Sequence, residues 1–88
     1  MIHELKCWPR PFHKMLLGEK TFEFRKNDRN YQTGDTLRLR EFDPATEKHS
    51  GEELWVRVTY ILFGGVYGLP SDYVVMSVVP CDTIQGEK

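Results

Sequence analysis

Three charged residues of complementary type stand close together in this chain: Lys20, Glu23 and Arg25. Glu23 and Arg25 are two apart in a stretch that alternates like a strand, so their side chains share one face. Lys20 sits in the turn before that strand, where its flexible stem can swing an ammonium over the same surface. Arg25 offers a planar fork suited to phosphate, carboxylate or a base edge. Glu23 can hold Arg25 in place, or accept hydrogen bonds from a ligand amino group as in the reading of cytosine. Such a set can form a charged cleft for a polar ligand. On these residues alone the plainer reading, a Glu-Arg ladder that solvates one strand face, is the favoured one.

Aromatic residues near this set are candidates for stacking on bases, because a ring face is a sequence-tolerant platform for single-stranded nucleic acid. Trp8 follows the first strand and Tyr73 opens the last one; Tyr31 lies in a polar loop close to Lys26 and Arg29. These three complete the expected ligand-binding set of Lys20, Glu23, Arg25, Trp8, Tyr31 and Tyr73. Trp8 serves equally well as a cap on the core beside a helix. Arg38 and Arg40 alternate with Leu37 and Leu39 and so share an outward face, usually only a solvated one. The glycines from Gly64 to Gly68 lack the Lys-Ser/Thr ending of a phosphate-binding loop and read as a flexible turn. His3, His13 and His49 show none of the paired spacings of metal ligands, so no metal and no cofactor is expected. Two cysteines, Cys7 and Cys81, define no disulfide framework and read as reduced thiols of a cytoplasmic protein.

Several elements must position these groups. An apolar strand, Ile2 to Cys7, is broken at Trp8-Pro9-Arg10-Pro11. A short amphipathic helix follows, with Phe12, Met15 and Leu16 on one face and Gly18 as its stop. Next come the alternating Thr21 to Arg25, a turn-rich loop around Tyr31, and a strand from Thr36 to Phe42 with Leu37 and Leu39 inward. Asp43 to Gly51 reads as a hairpin connection into the longest strand, where Leu54, Val56, Val58, Tyr60 and Leu62 share a face. Tyr73 to Val79 is nearly continuous in apolar residues and therefore central, and Pro80 ends it. Residues 81–88 form a tail expected to fray.

With 88 residues, of which 40% are hydrophobic and 28% charged, the chain fits one globular domain, placed at residues 1–80. A domain this small hides only about 60% of the surface its extended chain would expose, so its core must be compact. No apolar run approaches the roughly 20 residues of a membrane-spanning helix, and a monomer without membrane partners is expected. Met1 to Arg40 carries nine Lys or Arg against five Asp or Glu, and Glu41 to Lys88 three against eight, so the halves bear +4 and −5. This asymmetry can gather a basic, anion-attracting face on a nearly neutral protein, although an ordinary mixed surface also accommodates it. Five strands and one early helix indicate a mainly β, α+β fold, closed or nearly closed as a barrel to remove exposed edges. An open α+β sheet is the alternative.

Gly18-Glu19-Lys20-Thr21-Phe22-Glu23-Phe24-Arg25 resembles the G-x-K-x-x-E-x-R signature of ASCH domains, a superfamily of PUA-like barrels. The Gly34-Asp35-x-Leu37 turn, the hairpin and the closing Tyr73-Val74-Val75 strand are similar to its small bacterial and phage members, which often open with an Ile-His-Glu-Leu-Lys run. The resemblance covers Met1 to Val79 and implies a PUA-like β-barrel whose cleft lies between barrel and helix, with roles in RNA binding or metabolism. Some relatives are amidohydrolases acting on acetylated cytidine through a Lys, a Thr three residues later and a distant Glu. Lys20 matches the Lys, but Glu23 stands at the Thr position and no residue is assigned to the distant Glu. If the chain is an enzyme of that kind, Lys20 is its catalytic candidate; a ribonuclease would need a base, for which His13 is the nearest histidine.

Overall fold

The computed structural model describes residues 1–81, so the expected tail beyond Cys81 lies outside the described residues. Five strands and one helix follow in the order β1 (Ile2–Cys7), α1 (Pro9–Leu16), β2 (Phe22–Lys26), β3 (Thr36–Asp43), β4 (Lys48–Phe63) and β5 (Tyr73–Pro80). They make one mixed sheet in the order β1-β3-β4-β5-β2, with β1 parallel to β3 and the remaining pairs antiparallel. The fold is thus mainly β with one short helix. The sheet curls into a half-barrel whose edge strands, β1 and β2, approach each other without forming a backbone ladder among the described residues. Side chains cross the gap instead: Arg25 donates to the Lys6 carbonyl at 2.9 Å and Arg29 to the Glu4 carbonyl at 3.2 Å. An edge carbonyl satisfied by a guanidinium is a poor template for another strand, which suits a small sheet that does not close.

The hollow of the half-barrel holds the core: Leu5, Phe12, Leu37, Leu39, Val56, Val58, Val74 and Met76 are all buried there. Helix α1, at eight residues, is too short to persist alone and is held by burying Phe12 and Met15. Leu16, expected on the same face, is exposed. Its carboxyl end is a Schellman turn, with Gly18 left-handed at φ 77° and Glu19 N donating to the Lys14 carbonyl at 3.0 Å. This turn delivers Lys20 to the mouth of β2.

Three further expectations are corrected by the structure. The β3-β4 connection is only the turn at Pro44 to Glu47, not Asp43 to Gly51; Asp43 Oδ1 accepts from Ala45 N–H at 2.9 Å, and both strands extend beyond their expected ends. In β4 the inward alternation holds at Val56 and Val58 and then changes phase, because the pairing with β5 slips between Val58 and Tyr60. One extra residue at a bulge inverts everything after it, so Ile61 is buried and Tyr60 is 63% exposed. Tyr31 is the third: it is 1% exposed, packed edge-on to His3 with ring centroids 4.8 Å apart. Its loop is fastened by Asn27 Oδ1, which accepts from the Tyr31 N–H, so a polar sequence context surrounds a core aromatic.

Asp35 is the buried fastener of the same region. Its carboxylate accepts from Gln32 N–H at 2.9 Å and from the amino terminus at 3.2 Å, and pairs with His3 Nε2 at 2.8 Å. Burial works against the charged form, but the bonds from His3, Gln32 and the amino terminus outweigh it and hold the carboxyl below the ordinary value of 3.8. A depressed carboxyl stabilises the folded state above that ordinary value, and the contribution disappears as pH falls through the lower folded-state value. Asp35→Asn should therefore cost about 1–3 kcal/mol at neutral pH. Urea unfolding of both proteins from pH 7 downward should show the difference narrowing below pH 3.8. A difference independent of pH would refute the assignment.

Candidate functional site

Lys20, Glu23 and Arg25, from the Gly18 to Arg25 octet, converge at the gap between the two edge strands. Strand β2 turns its charged face inward, so that Glu23 is 3% exposed while Phe22 and Phe24 are 46% and 50% exposed. Ordinary alternation buries the apolar face and solvates the charged one. Here the inversion is sustained because both oxygens of Glu23 meet a cation: Lys20 Nζ donates to Oε2 at 2.8 Å and Arg25 Nε to Oε1 at 2.9 Å. A buried carboxylate flanked by two cations and hydrogen-bonded to both avoids the penalty of an unpaired buried charge. Lys20 Nζ also donates to the Phe22 carbonyl at 2.6 Å and lies 4.8 Å from the Phe22 ring centroid. The exposed phenylalanine is thereby part of the site, as one wall against the ammonium.

Lys20, Glu23 and Arg25 all line a cavity of about 310 Å³ whose other walls include Trp8, Cys7 and Phe22. This volume lies at the lower end of small-molecule sites, about 300–1,000 Å³. Trp8, 60% exposed, also lines the cavity. Tyr73 is not on this cavity; it stacks on Phe24 on the outer face of the sheet, with centroids 5.0 Å apart and planes 21° from parallel. Tyr31, being buried, offers no face to a ligand. Of the six residues expected to bind, four come together, Tyr73 lies behind the wall and Tyr31 belongs to the core.

A second cavity of about 400 Å³ shares Lys6 and Arg25 with the first and is otherwise lined by Glu4, Leu5, Arg29, Arg40 and His49. The sequence reading missed Lys6, Arg29 and His49 as site residues and treated Arg40 as solvated surface. Arg40 donates to Glu4 Oε2 at 2.7 Å, and Arg38 pairs with both Glu4 and Glu53, so this outward face is a cross-strand charge network. His13 lies outside both cavities; its Nε2 is 2.9 Å from Glu41 Oε2, and Ser50 donates to the other oxygen of that carboxylate at 2.6 Å. That bridge fastens the helix to the sheet and places no histidine beside Lys20. Among the described residues no cluster of three or more His, Cys, Asp or Glu is arranged to hold a metal, and no helix is long and apolar enough to cross a membrane.

Cys7 forms part of the cavity wall as a buried thiol. Burial, reinforced by the negative charge of Glu23, pushes its pKa up to about 11. Because the thiolate is the nucleophile, its fraction at neutral pH is roughly a hundredfold below that of a thiol at the ordinary value of 9.0. Iodoacetamide should therefore label Cys7 of the native protein at least tenfold more slowly than after denaturation, as read by peptide mass spectrometry. Equal rates would show that the wall is open.

Residues 2–78 match the family model described as a domain of unknown function, DUF3850. The chain belongs to the DUF3850 family. A 58-residue stretch is 43% identical to an "Uncharacterized 12.9 kDa protein in GpA 3'region" of Escherichia phage P2. That stretch covers 66% of this chain and 51% of the phage protein, so the chain spans about half the length of this curated relative. The DUF3850 match runs from β1 into β5, and thus includes both edge strands and the whole of Lys20 to Arg25.

Proposed function

We propose that this DUF3850 domain binds RNA or a nucleotide in the cleft between β1 and β2, and that it is a PUA-like barrel relative of the ASCH type. The observation that carries the reading is the buried Glu23, held between Lys20 and Arg25 in the wall of a cavity that Trp8 also lines. A carboxylate has about four lone-pair positions, and Glu23 uses one on Lys20 and one on Arg25. The remainder can accept from an exocyclic amino group, while unused N–H groups of Arg25 meet carbonyl or phosphate oxygens. The resemblance of Gly18 to Arg25 to the ASCH signature supports the same assignment.

A hydrolase of modified nucleosides is supported less well. Lys20 Nζ already donates to two acceptors, and the residue three positions on is a carboxylate where the amidohydrolase relatives carry a hydroxyl. Single-stranded RNA oligomers titrated at several salt concentrations test the binding reading. Affinity should fall with salt at a slope of roughly −0.7 per neutralised phosphate. Steady release of acetate from acetylcytidine, abolished by Lys20→Ala, would replace the binding module with the enzyme.

A further inference from the structure

We infer that the second cavity is an anion subsite that takes the phosphate attached to the nucleoside whose base occupies the first. The joining of the two cavities rests on the reading above; the anion site itself stands on its own geometry. Lys6, Arg25, Arg29 and Arg40 bring four cations to its walls, against the single carboxylate of Glu4. These residues are far apart in sequence and meet only through the parallel pairing of β1 with β3, which sets Lys6 opposite Arg40, and through the curl that brings β2 to the β1 edge.

Donor capacity remains after the internal bonds are formed. A guanidinium has five N–H donors. Arg29 commits one to the Glu4 carbonyl, and Arg25 commits one to Glu23 and one to the Lys6 carbonyl. The ammonium of Lys6 is held 4.4 Å from the Phe42 ring centroid, a contact that uses its charge and leaves its N–H groups for an oxygen ligand. A strand residue presents its N–H and C=O to the same side, so the amides of Glu4 and Lys6 also face the gap that their carbonyls share with Arg25 and Arg29. Planar forks and backbone amides converging on one space are the donor set for a phosphate's several oxygens. Arg25 and Lys6 line both cavities, so they are the contacts that a base and its own phosphate would share.

Glu4 gives the inference a test with opposite signs. It holds Arg40 and adds negative charge where the anion would enter. Nucleosides, their 5'-monophosphates, dinucleoside monophosphates and inorganic phosphate are titrated separately by calorimetry and two-dimensional NMR. Monophosphates are expected to bind about tenfold or more tightly than the nucleosides, as charge-assisted bonds to phosphate allow. Arg40→Gln should remove most of that gain and leave nucleoside affinity unchanged, because Arg40 is not on the first cavity. Glu4→Gln should instead strengthen phosphate binding, a result that loosened folding does not produce. A dinucleoside monophosphate that matches the free nucleotide assigns the site to an RNA chain; one that binds no better than a nucleoside assigns it to a terminal phosphate. Nucleosides that bind with no gain from phosphate overturn the anion subsite and leave the base-binding reading intact. Inorganic phosphate that shifts the Glu4 and Lys6 amides, in a protein that ignores nucleosides, upholds the anion site and removes the base reading. No response to any probe overturns both.

Discussion

Glu23→Ala should be the most damaging substitution in the cleft. It leaves Lys20 and Arg25 facing each other across an emptied, buried position, each without the carboxylate that now receives it. Removing one partner of a fully buried ion pair costs about 3–5 kcal/mol. Here the cation side chains retain 21% and 24% exposure and can turn partly to water, so a cost of about 2–3 kcal/mol is expected. For a domain of this size that corresponds to a fall in melting temperature of roughly 10–20 °C. Glu23→Gln should also destabilise, because its amide presents donors to a position where two donors already point. Adding Lys20→Met to the Glu23→Ala background should cost less than Lys20→Met alone, since its partner is already gone. Calorimetric melting of the four proteins measures this coupling, and strict additivity would mean that Lys20 and Glu23 do not act as a pair.

Arg25→Ala should have the largest effect on binding. Its guanidinium lines both cavities, positions Glu23 and reaches the Lys6 carbonyl at 2.9 Å, so the substitution removes a ligand donor and a bridge between the edge strands together. Affinity for a nucleotide should fall by about tenfold to a hundredfold, as loss of a charge-assisted hydrogen bond of about 1.5–3 kcal/mol requires. The core beneath is untouched, so the protein should remain folded with stability lowered by about 1–2 kcal/mol. Arg25→Lys keeps the charge but cannot reach Glu23 and Lys6 at once through a planar fork, and should recover only part of the binding. Equal affinity in Arg25→Ala and the unaltered protein would place the ligand elsewhere.

Much of the strand plan was legible from the sequence because alternation and turn residues are local signals. The bounds of β1, the helix after Trp8-Pro9 and the inward Leu37 and Leu39 follow from them directly. Alternation states which residues share a face and leaves open which face turns in. In β2 that choice depends on Glu23 finding both its cations within the same octet, so the phenylalanines come to lie outside. In β4 a bulge after Val58 resets the alternation, and no residue there announces it. Tyr31 looked like a loop aromatic because its neighbours are polar, whereas Asn27, Gln32 and Asp35 spend their polar groups fastening the loop over it. Within the octet, Lys20, Glu23 and Arg25 were legible together. Their junction with Lys6, Arg29 and Arg40 was not, since it exists only after β1 pairs with β3 and the sheet curls.

The central claim is that a nucleic-acid ligand enters the gap between β1 and β2 and meets Glu23 and Arg25. The direct measurement is an NMR titration of the isotope-labelled protein with short single-stranded RNA and with nucleotides, following the Arg25 Nε–H, the Trp8 indole N–H and the backbone amides. The account predicts saturable shifts centred on Trp8, Lys20 to Arg25 and the β1 edge, weakened in Arg25→Ala. Shifts centred on the outer face around Tyr60 and Tyr73, with the Arg25 Nε–H unmoved, would contradict it.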